Sequence, residues 1–112
     1  NASFENCIIY GSLSTEISFQ EEESGSFNYS FNHSLIKIDP NFNTNTSSFN
    51  NIIKNTDPLF VDHLNNDFKL SNSSPAIYTG NYQLTLDNNL LLDIQEKTRN
   101  NPPSMGAFEF ED

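Results

Sequence analysis

The sequence contains an internal repeat near its start, with an offset of 27 residues. The two copies span residues 2–10 and 29–37, and their aligned apolar pairs are Phe4 with Phe31 and Ile9 with Ile36. Periods of 20 to 50 residues are typical of architectures in which each unit buries its apolar face only by stacking on a neighbour. The repeat therefore predicts short strands that stack, and the segment 50–54 is similar to a third, shorter copy.

The alternation of apolar residues shifts inside each copy. Tyr29 and Phe31 share one parity, whereas Ile36 and Ile38 share a parity that is one residue out of step. A strand whose alternation slips by one residue must bend at that point, and asparagine tolerates the left-handed conformation that such a corner needs. We expect a corner at Asn32.

Two polar segments separate the copies. Residues 20–26, which include three consecutive glutamates, and residues 41–48 are rich in Asn, Ser, Thr and Glu. Such segments are typical of exposed loops. The alternative to an exposed loop at residues 20–26 is a calcium site at the three glutamates. We otherwise expect no cofactor.

Two prolines, Pro58 and Pro75, mark predicted turns in the second half of the chain. Pro58 fixes its own φ and pushes Asp57 towards an extended conformation, so we expect a turn that delivers Phe60 to the interior. Phe68 alternates with polar neighbours, which predicts a short strand. A second corner at Pro75 should turn the following Ala and Ile inward.

The last residues predict a final strand that is held against the rest of the chain. Gly106 permits close backbone contact, and Phe108 supplies apolar surface. Arg99 is the residue best suited to a structural ion pair, with Glu109 or a turn aspartate as its partner. We divide the chain into residues 1–70, with the stacked strands, and residues 71–112, with turns and the closing strand.

The order of these motifs resembles the closing segment of secreted bacterial pectate-lyase-like proteins. The residues that carry the resemblance are Asp57-Pro58-Leu59-Phe60, Asp67-Phe68-Lys69-Leu70, Ser74-Pro75-Ala76-Ile77 and Gly106-Ala107-Phe108-Glu109-Phe110. The resemblance implies an all-β fold, a right-handed parallel β-helix (solenoid), of which this chain supplies the C-terminal coils and a capping tail. Glu96 stands where that family usually has glycine, and the aspartate that commonly follows Ile77 is replaced by Tyr78.

Composition excludes several partners. The net charge is −10 with only five basic residues, which is unfavourable for binding nucleic acid or an anionic lipid surface. No apolar run reaches the roughly 20 residues of a membrane-spanning helix, so we expect no membrane insertion. The single cysteine, Cys7, has no internal disulfide partner, and we expect a small buried apolar side chain.

Three functional hypotheses follow. The first is a structural cap on a larger secreted or cell-surface protein of the bacterial outer surface or periplasm, with the remainder of that longer chain as its partner. The abrupt start at Asn1 favours an excised piece. The second is a binding module for carbohydrate or protein, in which Tyr10, Tyr78 and Tyr82 provide ring contacts.

The third hypothesis is a fragment of a polysaccharide lyase or hydrolase, as the resemblance allows. Catalysis of that kind needs carboxylates or bases clustered in one place. The acidic residues lie in turns and loops and the five basic residues are scattered, so we expect no catalysis and no catalytic residue within this chain. His33 and His63 are too few for a zinc site.

Overall fold

The computed structural model describes residues 2–13, 15–18 and 28–111, and these form short strands, one 3₁₀ turn and one α-helix. The strands are β1 (Ala2–Glu5), β2 (Ile8–Ile9), β3 (Tyr29–Asn32), β4 (Leu35–Ile36), β5 (Phe49–Asn50), β6 (Ile53–Lys54), β7 (Phe60–Asp62) and β8 (Asp67–Leu70). A 3₁₀ turn covers His63–Asn65 and the helix α1 covers Tyr82–Asp87. The side chain of Asn81 caps α1 by accepting a hydrogen bond from the Leu84 N–H.

The described residues form three sheets, and two of these are parallel and three-stranded. Their orders are β1-β3-β5 and β2-β4-β6. In the first sheet Phe4 pairs with Phe31 and Phe31 with Phe49, and in the second Ile9 pairs with Ile36. The pairings between the first two copies confirm the register that the repeat predicts. The third, shorter copy pairs with the second through β5 and β6.

A left-handed residue connects the two sheets in every copy. Asn6, His33 and Asn51 occupy equivalent positions and have φ values of 55°, 50° and 54°. The corner in the second copy is therefore at His33, one residue after the predicted Asn32. Asn32 is the last residue of β3, and its backbone pairs with that of Glu5. The bend begins only where this ladder ends.

The principal core lies between the two parallel sheets. Its buried members are Phe31, Ile36, Ile38 and Phe49, and Ile9 is half-buried against them. The rings of Phe4 and Phe31 stack with centroids 4.8 Å apart, and those of Phe31 and Phe49 with centroids 5.4 Å apart. Identical residues in a parallel ladder stack in this way because neighbouring strands lie about 4.8 Å apart.

The third sheet is the antiparallel pair β7 and β8. Phe60 pairs with Leu70, and the turn between the strands includes Asn66 in a left-handed conformation. This confirms the predicted strand at Phe68. Around the buried Pro58 the backbone is irregular, with Leu59 in a left-handed conformation, and Phe60 is only half-buried, so it does not enter the interior as predicted. The prediction for Ala76 is also confirmed, because it is completely buried.

The prediction of a right-handed parallel β-helix is wrong for this chain. The described residues form three small sheets of short strands, and one of these sheets is antiparallel. The separation between paired phenylalanines drops from 27 residues, Phe4 to Phe31, to 18 residues, Phe31 to Phe49. Parallel pairing also stops after three strands in each of the two parallel sheets among the described residues. Residues 71–111 continue neither parallel sheet.

Two further predictions concern the loops and the closing strand. Residues 41–48 form turns and bends, as predicted, whereas residues 20–26 lie outside the described residues, together with any calcium site there. The predicted closing strand at 106–110 is wrong, because these residues are bends and irregular backbone. Among the helices of the described chain, none is long and apolar enough to cross a membrane.

Candidate functional site

The C-terminal segment, residues 71–111, packs on the outer face of the β2-β4-β6 sheet. Leu35 of β4 is completely buried there and forms a second core with Leu70, Ala76 and Met105. Ile8 and Ile53 of the flanking strands are half-buried against the same core. Alternation explains this arrangement, because Leu35 and Ile36 point to opposite faces of one strand. The sheet therefore has a core on each side.

A buried carboxylate holds the end of this segment. Both oxygens of Glu109 accept hydrogen bonds from the Ser104 N–H, at 3.0 and 3.1 Å, and Oε2 also accepts from the Ser104 hydroxyl at 3.1 Å. Asn100 donates to the same oxygen at 3.1 Å. A buried carboxylate is tolerated only when such donors replace its water shell.

Arg99 completes the network, and its predicted ion pair is confirmed. Its Nη1 lies 3.4 Å from Glu109 Oε1, and the side chains are only 12% and 2% exposed. The guanidinium also donates to the backbone carbonyl groups of Ser104 at 3.3 Å and Gly106 at 2.9 Å. Since its donors face carbonyl groups and a carboxylate, Arg99 clamps the chain against itself. We call Arg99, Ser104 and Glu109 the clamp.

Asp93 joins the clamp to the preceding turn. Its Oδ1 accepts from the N–H groups of Gln95 and Lys97, at 2.8 and 3.0 Å, and its Oδ2 accepts from the Glu109 N–H at 2.8 Å. Burial by itself raises the pKa of Asp93. These three donors, with the charge of Arg99, favour the carboxylate more strongly and hold the pKa below its ordinary value of 3.8.

Asn6 connects the first corner to the C-terminal segment. Its Oδ1 accepts from the Asn81 N–H at 2.8 Å, and its Nδ2 donates to the Asn81 carbonyl at 3.0 Å. Its own carbonyl accepts from the Gly106 N–H at 2.9 Å. Gly106 has φ of +92°, and a Cβ there would lie 2.9 Å from Ile8 Cδ1. The close approach predicted for Gly106 is confirmed.

Sequence reasoning missed Asn6, Asp93 and Ser104. A signal existed for Asn6, because it aligns with the corner of the second copy. Asp93 precedes Gln95 at the spacing of a turn in which an aspartate side chain bonds the backbone two residues later. No sequence signal indicated that Ser104 would face Glu109.

The three tyrosines proposed as ligand contacts have different surroundings. Tyr10 lines a cleft beside the β7–β8 hairpin. Tyr78 is 39% exposed, contacts the ring of Phe110 and lies near Lys97. Tyr82 is half-buried at the start of α1. Tyr10 and Tyr78 therefore line two different clefts.

The other candidates have structural environments. Cys7 is half-buried, its Sγ donates to the Glu5 carbonyl at 3.2 Å, and burial raises the pKa of the thiol. His63 is exposed in its turn, whereas Nδ1 of His33 is buried and has no protein hydrogen-bond partner. Within the part of the chain described here, no group of three or more His, Cys, Asp or Glu is arranged to hold a metal ion.

Phe108 is half-buried near the clamp, and Pro75 is half-buried beside Ala76. Both positions suit packing residues. Comparisons with protein-family models, with curated proteins and with solved structures found no significant match for this chain.

Proposed function

We propose that this chain is a structural module of a larger secreted or cell-surface protein, and that residues 71–111 serve as a permanent cover for the β2-β4-β6 sheet. The observation that carries the proposal is the carboxylate of Glu109, whose oxygens are fully engaged by Ser104, Asn100 and Arg99. A carboxylate bonded in this way is not free to bind a substrate, and its role is to fix the backbone around it.

The apolar side of the cover supports the same proposal. Met105 is 1% exposed and its core includes Leu35, so removal of the segment would bare the outer face of the sheet. Apolar surface of that kind promotes association between molecules. The cover therefore contributes stability and solubility, and catalysis is not part of the proposal.

The β1 edge of the first sheet supports a place within a larger protein, because β3 is the one strand among the described residues that pairs with β1. Phe4 stacks on Phe31 with one ring face and is still 36% exposed, whereas Phe49, at the other edge, is 7% exposed and contacts the ring of Phe42. An exposed strand edge with an aromatic ring is suited to further packing. The remainder of the longer chain is the partner that we propose for this edge.

The intact mass of the native polypeptide, taken from its source, tests the proposal. A mass several times that of these 112 residues is the expected result. A native product of about this size would contradict the place in a larger protein. The cover itself is tested by Met105→Ala, which should lower the free energy of unfolding by about 2 to 5 kcal/mol, with Leu64→Ala as an exposed control.

A further inference from the structure

A cleft of about 360 Å³ lies between the loop after β2 and the β7–β8 hairpin. Its apolar walls are the rings of Tyr10, Phe60 and Phe68, and Ser12, Asp57 and His63 supply polar groups. Clefts of this size, with apolar walls and a few polar groups, are the usual form of a small-molecule site. The cleft shares no lining residue with the clamp.

The rings of the cleft are held in place before any ligand arrives. Phe60 and Phe68 meet edge to face, with centroids 5.3 Å apart and an interplanar angle of 86°, and Phe68 remains 43% exposed. Lys37 places its Nζ 4.5 Å from the centroid of the Tyr10 ring and donates to the Gly11 carbonyl at 2.8 Å. Fixed rings lower the entropy that binding would cost.

The polar groups provide both donors and acceptors. Asp57 Oδ1 accepts from the Leu59 N–H at 2.8 Å, which orients the carboxylate and leaves Oδ2 as an acceptor. Ser12 and His63 are both exposed at the cleft, and each can donate or accept a hydrogen bond. A ligand with several hydroxyl groups matches this mixture, whereas a purely apolar ligand would leave these groups unpaired.

Charge narrows the ligand class further. Asp57 is the residue that brings a carboxylate to the lining of the cleft. The chain as a whole carries a net charge of −10, which repels an acidic ligand such as a uronic acid. A neutral ligand is therefore favoured over an anionic one.

We propose that this cleft binds one ring of a neutral saccharide, with the exposed ring of Phe68 as the stacking platform. The apolar face of a sugar ring packs on an aromatic face, and its hydroxyl groups reach Asp57, Ser12 and His63. Of the three tyrosines proposed as ligand contacts, Tyr10 alone belongs to this site. This inference is independent of the structural role proposed above.

The test is a titration of the full chain with cellohexaose, mannohexaose and maltohexaose, followed by tyrosine emission and by NMR. We expect saturable binding of at least one of them, with Kd of about 1 mM or below. Phe68→Ala should weaken that binding by at least about tenfold. Leu64→Ala, at an 83% exposed position of the same hairpin outside the cleft, should leave it unchanged.

Two further variants distinguish a loss of binding from misfolding of the hairpin. Asp57→Asn keeps the acceptor for the Leu59 N–H and should still weaken binding, whereas Tyr10→Phe should retain binding but lose most of the change in emission. The proposal is overturned if none of the neutral hexasaccharides binds, if hexagalacturonate binds more tightly than all of them, or if Phe68→Ala and Leu64→Ala have equal effects.

Discussion

Glu109 and Ser104 are joined by three hydrogen bonds, two from the Ser104 N–H and one from its hydroxyl, all between 3.0 and 3.1 Å. Both residues are buried, at 6% and 0% exposure. The hydrogen bonds from the serine therefore offset part of the free energy that burial of the carboxylate costs. Arg99 supplies the opposite charge. This arrangement fixes a segment that has almost no regular secondary structure.

Loss of the charge on Glu109 should destabilise the protein strongly. Glu109→Gln leaves Arg99 without its partner in a buried site, so we expect the free energy of unfolding in urea to fall by about 3 kcal/mol. Glu111→Gln is the matched control, because the 2.7 Å pair of Lys97 and Glu111 is solvent-exposed and should contribute no more than about 1 kcal/mol. Equal losses would contradict a buried clamp.

At low pH, protonation of Asp93 should lower the free energy of unfolding of the protein. The pKa of this carboxyl is lower in the folded chain than its ordinary value of 3.8, so its stabilising contribution is complete above pH 3.8 and is lost as the pH falls through the folded pKa. The difference in unfolding free energy between the native chain and Asp93→Asn should therefore shrink below pH 3.8. A difference that stays constant on acidification would show that Asp93 is not the titrating group.

Truncation of a side chain at the centre of the core between the parallel sheets should lower the free energy of unfolding more than truncation at its edge. Ile36 is completely buried and its neighbour in the ladder, Ile9, is half-buried at the edge. We expect Ile36→Ala to cost about 2 to 5 kcal/mol in urea unfolding, and Ile9→Ala to cost less. The reverse order would mean that the edge strand, β2, is more deeply enclosed than the described residues indicate.

A substitution at the His33 corner should increase the stability of the protein. The φ of His33 is 50° and its buried Nδ1 lacks a protein partner, whereas the equivalent corners are Asn6 and Asn51. His33→Asn should raise the free energy of unfolding by about 1 kcal/mol, because asparagine accepts this left-handed conformation more readily than histidine does. The reciprocal change, Asn51→His, should lower stability. A loss of stability in His33→Asn would reveal a partner for the imidazole.

The thiol of Cys7 should react slowly. Burial raises its pKa, so little thiolate is present near neutral pH. A colorimetric thiol reagent should modify the folded protein much more slowly than the urea-unfolded chain at the same pH. Equal rates would place the thiol at an accessible surface.

The stacked strands could be predicted from the sequence because the signal is repeated. Phe4 and Phe31 are identical residues at equivalent positions, and so are Ile9 and Ile36, so the register follows from the alignment alone. The fold class could not be predicted in the same way. The motifs in the second half resemble those of a solenoid, yet their turns here lead into an antiparallel hairpin and a clamped segment.

The closing residues explain why the predicted last strand fails. The Glu109 N–H is bonded to the Asp93 side chain, and the carbonyl of Gly106 is bonded to Arg99, so these groups are not available for a ladder. Such contacts depend on side chains that lie up to 16 residues away. Alternation of apolar residues carries no information about them. The contact of Asn6 with Asn81 spans 75 residues, and the sequence pattern does not predict it either.

Amide hydrogen exchange on the full chain tests the central claim most directly. If residues 71–111 are an integral cover, the N–H groups of Ser104 and Glu109 should exchange as slowly as those of Leu35 and Ile53, which bond to the Cys7 and Ser34 carbonyls within the parallel sheet. All four should then report the free energy of global unfolding. Rapid exchange at Ser104 and Glu109 beside protected Leu35 and Ile53 would contradict the account.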